Sequence, residues 1–277
     1  MAFIDNHTHL DDLGLEPGPR PVEELVRQAA LAGVDTLIHS AVDVASSRWA
    51  LEQADRFPGV WVTIGYHPHE AGDADDDGLD RLAALAAHPK VLALGETGLD
   101  YYRNSVPRLT QQRVFVRHLE MAAAAGLPVV IHSRDAADDT LRLLDSHAGL
   151  TVVLHCFSLP ERLAELIARG YFLSFAGNVT FKNADALQAA LRSVPVERLL
   201  LETDAPFLAP VPFRGRPNSS ALVVHTYEFV ARQRGTTVQE LAARVCENAA
   251  KAYPRLRLGP TGPSASAHEQ RPLGDLP

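Results

Sequence analysis

The segment Ile4-Asp5-Asn6-His7-Thr8-His9 ends an apolar run with two histidines one residue apart. In an extended strand residues i and i+2 face the same side, so these two imidazoles stand together, an arrangement suited to a metal ion. The same residue types follow later apolar runs: Tyr66-His67-Pro68-His69, Glu96-Thr97-Gly98-Leu99-Asp100, His132-Ser133-Arg134, His155-Cys156-Phe157 and Glu202-Thr203-Asp204. A single histidine at a strand end is ordinarily a hydrogen-bonded structural residue, and a single carboxylate is ordinarily a helix cap, which is how Asp135 reads. Their recurrence at the same end of run after run is what points to chemistry. There are more donors than one ion needs, and a two-metal hydrolytic site holds its ions about 3.5–4 Å apart through a shared ligand. Lys90, Lys182 and Lys251 all fall away from these positions, so Glu96, with two oxygens, is the candidate bridge. Imidazole with carboxylate suits Zn²⁺ or Mn²⁺, and Mg²⁺ is also compatible.

What must position these side chains is a series of short Val/Leu/Ile-rich runs at 2–6, 34–39, 60–65, 91–96, 128–132, 151–155, 171–175 and 198–202. Ala/Leu/Arg/Glu-rich stretches near 21–32, 43–56, 77–87, 110–125, 135–147, 160–169 and 182–193 separate them and read as helices. Near-continuous apolar strands are those of a parallel sheet covered on both faces. Gly33, Gly126 and Gly170 sit where helices should stop. Eight strands alternating with helices predict an α/β fold, a single-domain (β/α)₈ TIM barrel; no GxGxxG follows the first strand to favour an open doubly wound sheet. Two more helices, at 219–233 and 237–252, complete a domain over 1–258, and the Gly/Pro/Ser-rich 259–277 reads as a disordered tail. A barrel brings the C-terminal ends of all its strands to one mouth, so the scattered histidines and carboxylates would share one site.

The 46% apolar and 22% charged composition is that of a soluble globular chain with an ample core. A net charge of -8 argues against a broad basic face held on nucleic acid by many phosphate contacts, while leaving room for a few local arginines. Cys156 and Cys246 form no CxxC pair, which argues against a disulfide framework or zinc knuckle. The Cys156 thiol is expected to face away from the site. With no membrane-length apolar stretch and a strand starting at the third residue, a cytoplasmic location is the expectation. His39, His88, His118, His147, His225 and His268 read as structural or surface residues.

From Phe3 to about Tyr253 the chain resembles the TatD-type metal-dependent hydrolases, often described as deoxyribonucleases. The resemblance rests on IDNHTHLD, GYHPH, LGETGLDYY, Gln112 to Phe115 ahead of LPVVIHSRDA, LHCFS, LLLETDAPFLAP and FRG, in that order. It implies a TIM barrel with a dinuclear site: one divalent ion on His7, His9, Glu96 and Asp204, the other on Glu96, His132 and His155, with Asp204 also activating the attacking water. Glu202 is expected to support the site without binding metal. The loop Arg214-Gly215-Arg216-Pro217-Asn218-Ser219-Ser220 departs from the family's pattern, with Arg216 for lysine and serine where a proline falls.

The reaction expected is hydrolysis of phosphodiesters, with DNA the first candidate substrate, from single-stranded ends, and with no membrane or obligate protein partner. Arg103, Arg134, Arg214, His67 and His69 are candidates to bind substrate phosphates. Tyr66, Tyr101, Phe157 and Phe207 are candidates to stack on bases, with loop packing as their ordinary alternative. Two rivals stand beside this reading: hydrolysis of an ester, lactone or amide, including an aminoacyl ester, and a metal-binding barrel without turnover. Arginines lining the cavity would favour the phosphodiester.

Overall fold

The computed structural model describes residues 2–11, 20–103 and 105–258; the expected tail at 259–277 lies outside them. Eight parallel strands follow one another in sequence order: β1 (Phe3–Thr8), β2 (Val34–Ser40), β3 (Val60–Ile64), β4 (Val91–Asp100), β5 (Val129–Arg134), β6 (Val152–Leu154), β7 (Phe172–Phe175) and β8 (Leu199–Leu201). Between them run α1 (Val22–Leu31), α2 (Val44–Arg56), α3 (Asp76–Leu85), α4 (Arg108–Ala125), α5 (Ala137–Asp145), α6 (Leu163–Ala168) and α7 (Asp185–Ser193), and α8 (Val223–Arg234) and α9 (Val238–Ala252) follow β8. This is the expected TIM barrel. The sheet is completed beyond β8 by a parallel bridge between Thr8 and Ala205, where His9 N donates to Ala205 O at 2.7 Å. α9 lies against both β1 and β8 and so covers this thin seam, and its Asn248 Nδ2 donates to Val196 O and Leu199 O.

Local chemistry sets most boundaries. α2 and α9 start in capping boxes, Asp43 with Ser46 and Thr237 with Glu240. α1, α4 and α6 are followed by Gly33, Gly126 and Gly170, all at positive φ as expected. Asp135 differs: it stands two residues before α5, which has no side-chain cap, and its φ of 53° takes it out of the helix. α6 is shorter than its expected span because Pro160–Arg162 forms a separate 3₁₀ turn.

The largest departure is β4, which is buried along all ten residues and continues past Glu96 to Asp100. Its pairing with β5 resumes after an irregularity between Leu94 and Thr97, so Gly98 pairs with His132 and Asp100 with Arg134. Glu96 therefore sits within a strand, on the rigid wall of the mouth. Gly98 permits the approach: at φ +135°, a Cβ there would strike the His132 carbonyl oxygen.

No helix among the described residues is long and apolar enough to cross a membrane.

Candidate metal centre

The C-terminal strand ends open on a cavity of about 550 Å³ whose lining includes His9, His67, Glu96, His132, His155 and Asp204. At its floor lies the Glu96 carboxylate, buried between two groups of imidazoles. Oε2 faces His7 Nε2 at 3.2 Å and His9 Nε2 at 3.8 Å. Asp204 Oδ1 joins this side, 3.6 Å from His9 Nε2 and 3.9 Å from His7 Nε2. Oε1 faces the other side, 2.7 Å from His155 Nε2, 2.8 Å from His132 Nδ1 and 3.5 Å from His67 Nε2.

The far side of each ring meets another polar group, which favours the nitrogen it turns inward. His9 Nδ1 donates to the Ser40 carbonyl oxygen at 2.8 Å, so neutral His9 presents an unprotonated Nε2. His7 Nδ1 meets Ser40 Oγ at 3.0 Å, and that hydroxyl is bonded in turn to Thr63 Oγ1. His132 turns Nε2 to Asp100 Oδ2 at 3.2 Å, leaving Nδ1 toward Glu96. His155 Nδ1 faces Glu202 Oε1 at 3.4 Å, and that oxygen also accepts from Cys156 N. His69 shares Asp100 Oδ2, at 3.0 Å.

Asp204 is placed by a turn pinned from two sides. Its N donates to His7 O, while Asp5 accepts from Thr203 N at 2.8 Å and Thr203 Oγ1 at 2.6 Å. Asn218 Nδ2 donates to Thr203 O at 3.0 Å and to Phe207 O at 2.6 Å. Asp204 itself sits at φ 53°, a conformation disfavoured outside glycine and common where function fixes a residue.

Electrostatically the cluster is a set of buried groups that balance one another. Burial works against the Glu96 charge, but the imidazoles of His155, His67 and His132 hold it well below the ordinary carboxylate range. Burial likewise works against a charged His155, yet Glu96 and Glu202 raise it well above the usual imidazole range. His7 is lowered by burial and by His155. Burial pushes the Asp5 carboxyl up to about 7, against its bonds to Thr203 and Ser220.

Would a cation suit these residues? His7 Nε2 is buried and has no hydrogen-bond partner among the described residues, although two carboxylates lie within 4 Å. Three sets of donor atoms lie within 4.8 Å of one another: His7, Glu96 and His155; His7, His9 and Asp204; and His67, Glu96 and His132. Imidazole nitrogens and carboxylate oxygens converging in a buried cluster are a donor set that a divalent cation satisfies better than they satisfy each other.

The remaining candidates divide. His67, His69, Arg103 and Arg134 line the cavity. Arg214 does not; its guanidinium lies over the Phe181 ring at 4.3 Å, on an exposed loop. Tyr66 and Phe157 are buried in the core, Tyr101 is half-buried with its hydroxyl on Asp139, and Phe207 is exposed at the mouth. Cys156 corrects an expectation: β6 ends at Leu154 and Cys156 turns to φ 40°, so strand alternation stops and the residue lines the cavity. Burial and the nearby carboxylates of Asp204, Glu202 and Glu96 push its thiol well above its usual range, which keeps it protonated and unreactive. Ser40, Asn218 and Asp5 were not legible as site residues, because each acts through hydrogen bonds to another segment of the chain, 31, 15 and 198 positions away. Asp100 followed a strand end but gave no sign of which histidine it would serve.

Comparison with known proteins agrees with this geometry. The family model described as TatD related DNase matches residues 4–254. The chain is 37% identical over 256 residues to the uncharacterized metal-dependent hydrolase YcfH of Escherichia coli K12, covering 91% of this chain and 96% of that protein. It is 38% identical over 239 residues to the 3'-5' ssDNA/RNA exonuclease TatD of Cronobacter turicensis, covering 83% and 91%. The crystal structure of YjjV, a TatD homologue from Escherichia coli K12, superposes with a TM-score of 0.84 at 27% identity, covering 91% of this chain and 98% of that one. With its barrel, its mouth of imidazoles and carboxylates and this match across nearly the whole domain, the chain belongs to the TatD related DNase family.

Proposed function

We propose that this protein is a divalent-metal-dependent nuclease that hydrolyses phosphodiester bonds at the ends of single-stranded nucleic acid, with two ions sharing Glu96. The observation that carries this reading is the division of the imidazoles by the two Glu96 oxygens, His7 and His9 on Oε2 and His132 and His155 on Oε1. His7, His9 and Asp204 would hold one ion and His132 and His155 the other. Divalent cations in these places supply Lewis-acid polarisation of the phosphoryl group and lower the pKa of water toward neutrality.

The chain's own groups do the rest. Asp204, lowered by His9 and its neighbours despite burial, is ionised and able to accept the proton of the attacking water. Asp100 keeps His132 in the tautomer that points Nδ1 inward. Arg103 and Arg134, at the cavity wall, offer guanidinium to phosphates flanking the scissile one. These arginines also favour a phosphodiester over a carboxylic ester or amide, and the complete donor set argues against a barrel without turnover. A relative named as an ssDNA/RNA exonuclease supports the same substrate class. The recessed cavity and the net charge of -8 suit a chain end entering the mouth better than duplex wrapped over the surface.

The test is cleavage of end-labelled single-stranded DNA by metal-stripped protein, alone and with Mg²⁺, Mn²⁺ or Zn²⁺. Activity restored by metal in the unaltered protein and lost in His7→Ala, Glu96→Ala and Asp204→Ala is the expected result. Binding of two ions without cleavage under any metal would overturn the nuclease reading and leave a carboxylic ester or amide as substrate.

A further inference from the structure

Tyr102 is unusual among the aromatic residues of this chain, because it is 63% exposed immediately after β4 at the mouth of the barrel. It is not merely loose. The guanidinium of Arg134, at the end of β5, lies over its ring at 3.9 Å. Arg134 is exposed, and among the described residues no carboxylate pairs with it, although Asp135, Asp138 and Asp139 follow closely in sequence. Several guanidinium groups elsewhere on this acidic protein do hold carboxylates: Arg162 and Arg169 two each, and Arg27, Arg56, Arg81, Arg117, Arg142 and Arg244 one each. A free cation stacked on an exposed ring beside the candidate metal centre is a flat surface of alternating π and charged character, the kind on which nucleobases stack.

Its position says which part of a substrate would reach it. Arg134 and Ser158 line both the central cavity and a neighbouring one of about 730 Å³, so they stand on the path leading out of the site. That outer cavity is lined by Asp135, Asp138, Asp139 and Glu161, which repel backbone phosphates. A strand leaving the site on this side therefore meets it with a base, while its phosphates stay with Arg103 and the edges of Arg134. The other exposed aromatic residue at the mouth, Phe207, follows β8, four strands away around the barrel, so the two mark opposite sides of the opening.

We infer that Tyr102 and Arg134 form a stacking platform for the base of a nucleotide flanking the scissile phosphodiester. The inference rests on the nuclease reading above and adds to it a site for one unpaired base. It explains a preference for single strands by physics, since a base within a duplex has no free face to offer.

Two readouts test it: cleavage of pentathymidylate, and anisotropy of the same labelled oligonucleotide on metal-stripped protein, which reports binding without turnover. The oligonucleotide is used intact and as a series with one abasic nucleotide moved along the chain. Tyr102→Ala is expected to weaken binding and kcat/KM about tenfold on the intact strand, the scale of one base stacked on an aromatic ring. Tyr102→Phe should restore both. Arg134→Lys, which keeps the charge but not the plane, should lose part of the same effect. With the abasic nucleotide at one flanking position, already weaker on the unaltered enzyme, Tyr102→Ala should cause no further loss. Equal losses on intact strand and on every abasic strand would overturn the platform while leaving the nuclease in place. Failure of the unaltered enzyme to bind or cleave any of these strands would overturn both.

Discussion

At the scale of single residues the centre depends on groups that point ring nitrogens inward as much as on the rings themselves. Asp100 is the clearest case, since one oxygen receives both His69 Nε2 and His132 Nε2 while the other accepts from Arg103 N. Asparagine would offer an amide N–H where two imidazoles need an acceptor, so His132 would lose its fixed orientation. If two ions share the centre as proposed above, Asp100→Asn is expected to weaken cation binding on the His132 and His155 side by about 10–100-fold, the usual cost of losing such a support. Binding on the His7 and His9 side should then change far less. Isothermal titration with Mn²⁺ or Zn²⁺ distinguishes the two sites, and equal weakening of both would show that Asp100 acts on the fold instead.

At the scale of elements, β4 matters most because Glu96 lies within it and its ladder with β5 continues beyond. That continuation needs Gly98, whose missing Cβ gives room to the His132 carbonyl oxygen and whose φ of +135° disfavours any L side chain. Gly98→Ala is expected to destabilise the barrel by about 1–3 kcal/mol through backbone strain alone, with further loss from the displaced His132. Urea unfolding reads the first effect, and reduced cation affinity at a denaturant-free baseline reads the second. The turn after β8 is held differently, by the Asn218 side chain bridging Thr203 O and Phe207 O. The loop that carries Asn218 departs from the family pattern at Arg216 and Ser220, yet Asn218 remains buried and bonded. Of the two departures Arg216 is exposed, whereas Ser220 is buried, with its Oγ donating to Thr8 Oγ1 at 3.1 Å, so the turn that carries Asp204 keeps its Asn218 support.

At the scale of the whole molecule, acid stability follows from histidines folded into the structure as neutral rings. His118 is buried on α4, where Nδ1 donates to Val114 O and Nε2 accepts from Tyr66 N, so it ties that helix to the loop after β3. Burial holds it down to about 4, with the Val114 bond only partly opposing. The unfolded chain takes up this proton near the ordinary value of about 6.5, whereas the folded one takes it up only near 4. Stability is therefore complete above about 6.5, falls as the pH drops from about 6.5 to 4, and loses nothing more from this group below that. The total loss from this group is about 3 kcal/mol. Denaturation curves between pH 7 and 4 should be shallower in pH for His118→Gln than for the unaltered protein, whatever the variant's absolute stability. Parallel curves would remove His118 as the source.

The sequence by itself determined the barrel and supplied a roster of candidate donors. Strand and helix periodicities differ, so eight apolar runs separated by amphipathic stretches and stopped by Gly33, Gly126 and Gly170 leave little else to build. Gathering His7, His9, His132, His155 and Asp204 near strand ends, with Glu96 on β4, then follows from the rule that such ends share one mouth. Tertiary structure alone decided how those donors are divided and supported. Which Glu96 oxygen faces which imidazole depends on β4 running past it. The far-side partners Ser40, Asp100 and Glu202, and the Asp5 and Asn218 supports of Asp204, are polar contacts between separate segments that no local pattern encodes. The same limit explains Cys156 and Arg214. Alternation placed the first on the wrong face because the strand ended earlier than its apolar residues suggested, and charge placed the second near substrate although its guanidinium lies on Phe181. Residue type and period are local properties of a chain; a side chain's partners are set by where the closed barrel brings its strands together.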